Sequence, residues 1–301
     1  MPVASPFAAL LDALPISDHS VQVLGSTTRY WEYGPHDASV TIVIAHGYRG
    51  EHHGLEPVIA QFEGVRFIGP DMPGFGESTP LTEVGHDIPG YAAWLGAFID
   101  TLGLSGTAIV IGHSFGSIIS SYAASNGLIT PPQLILINPI AQSGLDGPNQ
   151  FMTKVTVGFY RMSGKMPDKV ANWLLKNWLI AQLINWTMVT SKNKQLKSWI
   201  YDQHHTYFNN FSDPKTVVEA FDASISGDVG EVGDRIPMPT LLIGAELDNI
   251  TPVSALHDLQ EKIPVATLHV ISGVGHLIHY ERPQETAKFI VDFIGAGKLT
   301  S

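Results

Sequence analysis

The chain has 301 residues, 44% of them hydrophobic and only 15% charged, and a formal net charge of −11. Its length fits one large domain carrying an insertion, and 17 basic against 28 acidic residues leave no basic stripe to neutralise nucleic-acid phosphates. Cysteine is absent, which removes disulfides and thiolate catalysis, restricts any zinc site to His and carboxylates, and suits a reducing compartment.

The N-terminal stretch MPVASPFAALLDALPIS lacks a basic start and carries Asp12 in its apolar part, so it is not read as a signal peptide. No charge-free run approaches the roughly 20 residues of a membrane span, and a cytoplasmic location is expected by default. Val21–Leu24 and Thr28–Tyr33 are β-rich runs about Gly25-Ser26 and predict a hairpin. Thr41–Ala45 is a buried strand running into His46-Gly47-Tyr48-Arg49-Gly50. Gly54–Phe62 reads as a helix, and Val65–Gly69 as a strand ending in Asp71-Met72-Pro73-Gly74-Phe75-Gly76-Glu77-Ser78. Tyr91–Leu102 has helical periodicity through Trp94, Leu95, Phe98 and Ile99.

Next comes Ala108–Gly112, an apolar run that breaks at Gly112-His113-Ser114-Phe115-Gly116 and continues as the small-residue segment Ser117–Ser125. Strand, sharp turn and helix push the serine hydroxyl outward, and the glycines allow strand and helix to pass closely. Leu134–Ile137 is a further strand, stopped at Asn138-Pro139. From 141 to 235 no clear β run occurs. The segment is helix-like and rich in Trp, Asn and Lys, and it predicts an inserted cap. Alternation resumes with a strand over Thr240–Ile243, then Gly244-Ala245-Glu246-Leu247-Asp248 and a helix over Val253–Ile263. A strand over Thr267–Ile271 follows, then Gly273-Val274-Gly275-His276 and a closing helix over Pro283–Ile294. Continuous Val/Ile/Leu strands alternating with helices indicate an α/β fold, a parallel sheet covered on both faces. Its loops converge on one site beyond the strands' carboxyl ends.

These motifs, in this order, resemble the α/β-hydrolase family from about Val21 to Ile294. The His46-Gly47 loop is similar to the family's oxyanion loop, and Asp71 to Ser78 to its D-x-P-G-x-G-x-S loop. Gly112 to Gly116 is similar to its nucleophile elbow, and Asp248-x-x-x-Pro252 to its acid turn. Gly273-x-Gly275-His276 with Glu281-x-Pro283 is similar to its histidine loop. The resemblance implies a mostly parallel eight-stranded sheet with helices on both faces. The core would be 1–140 with 236–301, and the helical cap 141–235. It further implies Ser114 as nucleophile, His276 as base and acid, and Asp248 as orienting carboxylate. Asp248 lies four residues after Gly244 where many relatives have three, so Glu246 is the alternative acid.

A serine hydroxyl needs a base as it attacks a carbonyl, and an imidazole steadied by a carboxylate supplies one. The backbone N–H groups of Tyr48 and Phe115 would receive the developing oxyanion. Gly47, Arg49, His113 and Trp178 are the expected substrate-binding residues. Arg49 would meet an acidic substrate group or lie solvated on the surface, and His113 would pack or touch the site. His279 is the alternative to His276, while Asp71 and His46 are expected to order their loops. The pairs His52-His53 and His204-His205 are neighbours that seldom face one metal, and no metal or cofactor is expected.

The run Val170–Val189 is apolar nearly all round. It packs on the core, or it forms an acyl pocket or a lid touching lipid. The expected activity is serine hydrolysis of a carboxylic ester or thioester, a small molecule with an apolar acyl group. The alternatives are a C–C hydrolase, an amidase, or a cofactor-free perhydrolase or haloperoxidase. A noncatalytic receptor on the same fold is a further class. The sequence does not speak to oligomeric state.

Overall fold

In the computed structural model, residues 3–143 and 150–300 are described. Eight strands form one sheet: β1 (Ile16–Val23), β2 (Ser26–Tyr33), β3 (Thr41–Ala45), β4 (Arg66–Pro70), β5 (Ile109–His113), β6 (Leu134–Ile137), β7 (Thr240–Ala245) and β8 (Ala266–Ile271). Their order is β1-β2-β4-β3-β5-β6-β7-β8. β1–β2 and β2–β4 are antiparallel, and the remaining pairs are parallel.

Side chains alternate between two core layers, as the two-residue period of a strand requires. Val43, Val110, Leu134 and Leu136 face the helices Ile88–Thr101 and Phe115–Ser125, packing with Trp94, Phe98, Ile118 and Ile119. Ile42, Ile44, Ile109, Ile111, Ile135 and Ile137 face the other side, with Ile59 and with Ala287 and Ile290 of the Pro283–Ile294 helix. Each such buried aliphatic chain contributes about 1.5–3 kcal/mol.

Three elements differ from the sequence expectation. β1 begins at Ile16, because Ile16–Ser20 pairs with Arg29–Tyr33 although it is polar and largely exposed. Leu24 and Gly25, both with positive φ, make the turn. The expected Gly54–Phe62 helix shrinks to a 3₁₀ turn at His52–Leu55 and one α-turn at Glu56–Ile59. Phe62–Glu63 instead pairs with Lys298–Leu299, near the other end of the chain. Val170–Val189 is divided into two helices, Asp168–Leu175 and Trp178–Met188. The Asn177 side chain caps the second by accepting from the Leu179 N–H at 3.0 Å.

Between β6 and β7 the described residues form five α-helices, Gln150–Ser163, Asp168–Leu175, Trp178–Met188, Lys194–Tyr207 and Pro214–Ser226, followed by two short 3₁₀ turns. Part of the expected 141–235 segment, residues 144–149, lies outside the described residues. Tyr160, Leu175, Phe211, Val217, Ala220 and Phe221 of this insertion join the core layer that covers the sheet. Phe211 forms a β-bridge with Phe75, and the Ser212 N–H donates to the Gly74 carbonyl at 3.0 Å. Among the described residues no helix is long and apolar enough to cross a membrane.

Candidate active site

β5 ends at His113, and the Phe115–Ser125 helix begins two residues later. The reversal falls on Ser114, with φ 51° and ψ −116°. A non-glycine residue there stores roughly 1–3 kcal/mol of strain. The Ser114 N–H anchors it by donating to the Ile137 carbonyl at 3.0 Å. A side chain on Gly116 would put its Cβ 2.5 Å from the Ala45 carbonyl carbon, so only glycine lets the helix pass the end of β3.

The Ser114 Oγ lies 2.9 Å from His276 Nε2, and His276 Nδ1 lies 2.8 Å from Asp248 Oδ2. An ionised carboxylate only accepts, so Nδ1 carries the proton and Nε2 accepts from the serine hydroxyl. Asp248 is fully engaged. Its Oδ1 accepts from the Ile250 and Thr251 N–H groups at 2.8 and 3.3 Å, and its Oδ2 also accepts from Asn138 Nδ2 at 3.0 Å. Burial pushes this carboxyl up, but the adjacent His276 and the two N–H groups outweigh it and hold it below the usual carboxylate range. Glu246 is exposed and turns away, accepting from the Gly273 N–H at 2.8 Å.

The loop after β3 approaches from the other side. A Cβ on Gly47 would stand 3.2 Å from Ser114 Cβ, so this glycine lets the backbone lie against the serine. His46 Nε2 accepts from the Met72 N–H at 2.8 Å, which leaves Nδ1 to donate to the Gly47 carbonyl at 2.8 Å. Asp71 accepts from His52 and from the Glu77 N–H, tying the same loops together. The Tyr48 N–H has no acceptor among the described residues. The Phe115 N–H opens its helix, where no preceding turn supplies a carbonyl. The Tyr48 hydroxyl donates to the Val217 carbonyl at 2.9 Å, and its ring packs against Phe75, Tyr160 and Phe221.

Arg49 is neither solvated nor open to an entering substrate. It is 1% exposed, with φ 56°. Its guanidinium donates to the Phe208 and Leu175 carbonyls, Tyr160 Oη and Asn209 Oδ1 at 2.8–3.1 Å, and lies over the Phe208 ring. Every one of these partners belongs to the insertion, so Arg49 fastens the loop to it. Trp178 is exposed on the insertion surface. His113 is buried behind Ser114, its ring 5.9 Å from that of His276 and 4.3 Å from that of His279. Burial, reinforced by neighbouring imidazoles, pushes both His113 and His279 well below the ordinary histidine range, so both are neutral. His113 Nε2 and His279 Nδ1 have no hydrogen-bond partner among the described residues.

Two positioning groups were not singled out from the sequence. Asn138 holds Asp248; its only signal was the Asn-Pro stop after β6. Thr190 donates through its N–H and hydroxyl to Glu281 at 2.8 and 2.7 Å and accepts from the Gly275 N–H at 3.1 Å, joining the insertion to the histidine loop. The neighbours His52 and His53 do come together, with their ligand atoms and one of Glu51 within 4.8 Å of one another. The His52 Nδ1 and His53 Nδ1 atoms are, however, engaged by Asp71 and Glu51.

Strand order, elbow and converging loops define a class that the wider comparisons name. The alpha/beta hydrolase family matches over residues 42–289. The chain belongs to that family. It is 24% identical over 267 residues to a pimeloyl-[acyl-carrier protein] methyl ester esterase of Aeromonas hydrophila, covering 84% of this chain and 95% of that one. It is 25% identical over 264 residues to a 2-hydroxy-6-oxononadienedioate/2-hydroxy-6-oxononatrienedioate hydrolase of Dechloromonas aromatica, covering 84% and 86%. The fold is shared with the enol-lactonase of Burkholderia xenovorans LB400, at a TM-score of 0.76 and 18% identity over 92% of this chain and 100% of that one.

Proposed function

We propose that the protein is a serine hydrolase that cleaves a carboxylic ester or thioester with an apolar acyl group through an acyl-enzyme intermediate. The observation that carries this is the hydrogen-bonded line from Ser114 Oγ through His276 to Asp248. Ser114 Oγ attacks the carbonyl carbon while His276 Nε2 takes its proton. Asp248 keeps the imidazole in the tautomer that can do so and stabilises the imidazolium. The N–H groups of Tyr48 and Phe115 receive the oxyanion, and the positive end of the Phe115–Ser125 helix adds to them. His276 then protonates the leaving alcohol or thiol, and water repeats the sequence on the acyl-enzyme.

The five-helix insertion acts as a cap over this rim, and the aromatic rings packed around Tyr48 beside the oxyanion loop support an apolar acyl group. The methyl ester esterase relative supports ester chemistry. The oxononadienedioate hydrolase relative favours a second reading, C–C hydrolysis on the same residues.

A fluorophosphonate probe separates enzyme from receptor. Wild-type protein takes the label and Ser114→Ala does not; an unlabelled wild type removes the hydrolase reading. p-Nitrophenyl esters of rising chain length, run beside a dienoate, then choose the bond. Turnover that favours short esters by a wide margin removes the apolar acyl assignment, and turnover of the dienoate alone replaces ester by C–C cleavage.

A further inference from the structure

The Trp178–Met188 helix is built inside out. Its Leu179, Leu183 and Trp186, spaced i, i+4, i+7 on one face, are exposed, whereas the polar Asn185 is fully buried against His204. Trp186 is 78% exposed. The preceding Asp168–Leu175 helix extends the surface with Val170 and with Trp173, 68% exposed, and the exposed Trp178 opens the second helix. A depression of about 440 Å³ at the junction is lined by Trp173, Lys176 and Trp178 with Asn172 and Asn177. Burying a continuous apolar stripe is what normally holds an amphipathic helix in place, so one facing water marks a surface that meets a partner.

Charge says which partner. Residues 150–200 contain eight Lys and Arg and one acidic residue, Asp168, in a chain whose remainder holds nine basic and 27 acidic residues. Lys154, Lys165, Lys169, Lys192 and Lys194 make no ion pair among the described residues, whereas Arg161 pairs with Asp222. Exposed tryptophans amid unpaired lysines suit the interface of an anionic bilayer, where indole sits at headgroup level and lysine meets phosphate.

We propose that the Asp168–Leu175 and Trp178–Met188 helices dock the protein on an anionic lipid surface. The site is independent of the serine chemistry.

Co-sedimentation tests it, with vesicles of phosphatidylglycerol and phosphatidylcholine in equal parts against phosphatidylcholine alone. Wild type and Ser114→Ala should bind the anionic vesicles alike, with a blue shift of tryptophan emission and weaker binding as salt rises. Trp173→Ala combined with Trp186→Ala, and separately Lys165→Glu with Lys169→Glu, should each lower partitioning about tenfold. Two results overturn the proposal: wild type that stays in the supernatant, or substituted proteins that bind as wild type does. So does a wild-type dimer in light scattering that the tryptophan substitutions dissolve, since the partner is then a second copy.

Discussion

The Phe115–Ser125 and Trp178–Met188 helices have the same length, 11 residues, and opposite fates. The first buries nine of its residues, Ser117, Ser120 and Ser121 among them. Its Ser117 and Ser120 hydroxyls donate to carbonyls of their own turn. The second turns its largest apolar side chains to solvent and buries an asparagine. Side-chain size and the approach of neighbours thus decide burial as much as polarity does. Small residues let the first helix press against the end of β3. The second meets the body of the protein through buried Asn185 and through Met188 at its end, and leaves its bulk outside.

The contrast can be broken from its strongest side first. Ser114→Ala, at the head of the first helix, should lower kcat/KM on the order of 10⁶-fold with folding intact. Asp248→Asn should lower it about 10⁴-fold, and Glu246→Gln by less than about threefold. Steady-state kinetics on one ester reads all of these, and a larger loss from Glu246→Gln would move the acid role.

In urea denaturation, Ile119→Ala in the buried helix should cost about 3–4 kcal/mol. Arg49→Ala, which strips the insertion's acceptors of their donor, should cost ~3 kcal/mol. Arg49→Lys should recover only part, because one ammonium cannot span four partners.

His204, beneath the exposed helix, sharpens the comparison through pH. Burial, reinforced by His205, lowers its pKa to about 4. The unfolded chain therefore binds the extra proton between about 6.5 and 4, and stability should fall by ~3 kcal/mol as pH drops through that window. The neutral, buried His113 and His279 act in the same direction. Thermal melts against pH should show a flatter slope for His204→Gln. At the smallest end, Trp186→Ala should change stability by less than about 0.5 kcal/mol and leave turnover of a soluble ester within about twofold.

Strands of continuous Val, Ile and Leu, and loops punctuated by glycine, were legible in the chain. Their signals are local, confined to a few residues that must satisfy one backbone geometry. That is why the elbow at Gly112–Gly116 and the loops ending in Asp248 and His276 are legible in order in the chain itself. Ile16–Ser20, largely polar and exposed, and Phe62–Glu63, only two residues long, were not legible as strands, because the pairing partner and not the local pattern makes them so.

The sequence by itself determined the alternation of strand and helix, the family, and which serine, histidine and carboxylate stand at strand ends. Only the tertiary structure decided that Arg49 is a buried fastener, that Asn138 holds Asp248, that Thr190 joins Glu281 to the histidine loop, and which face of Trp178–Met188 meets solvent. Each of those outcomes depends on groups far along the chain. Periodicity records that a side chain is apolar or charged, whereas its burial and its partners exist only once the chain has packed.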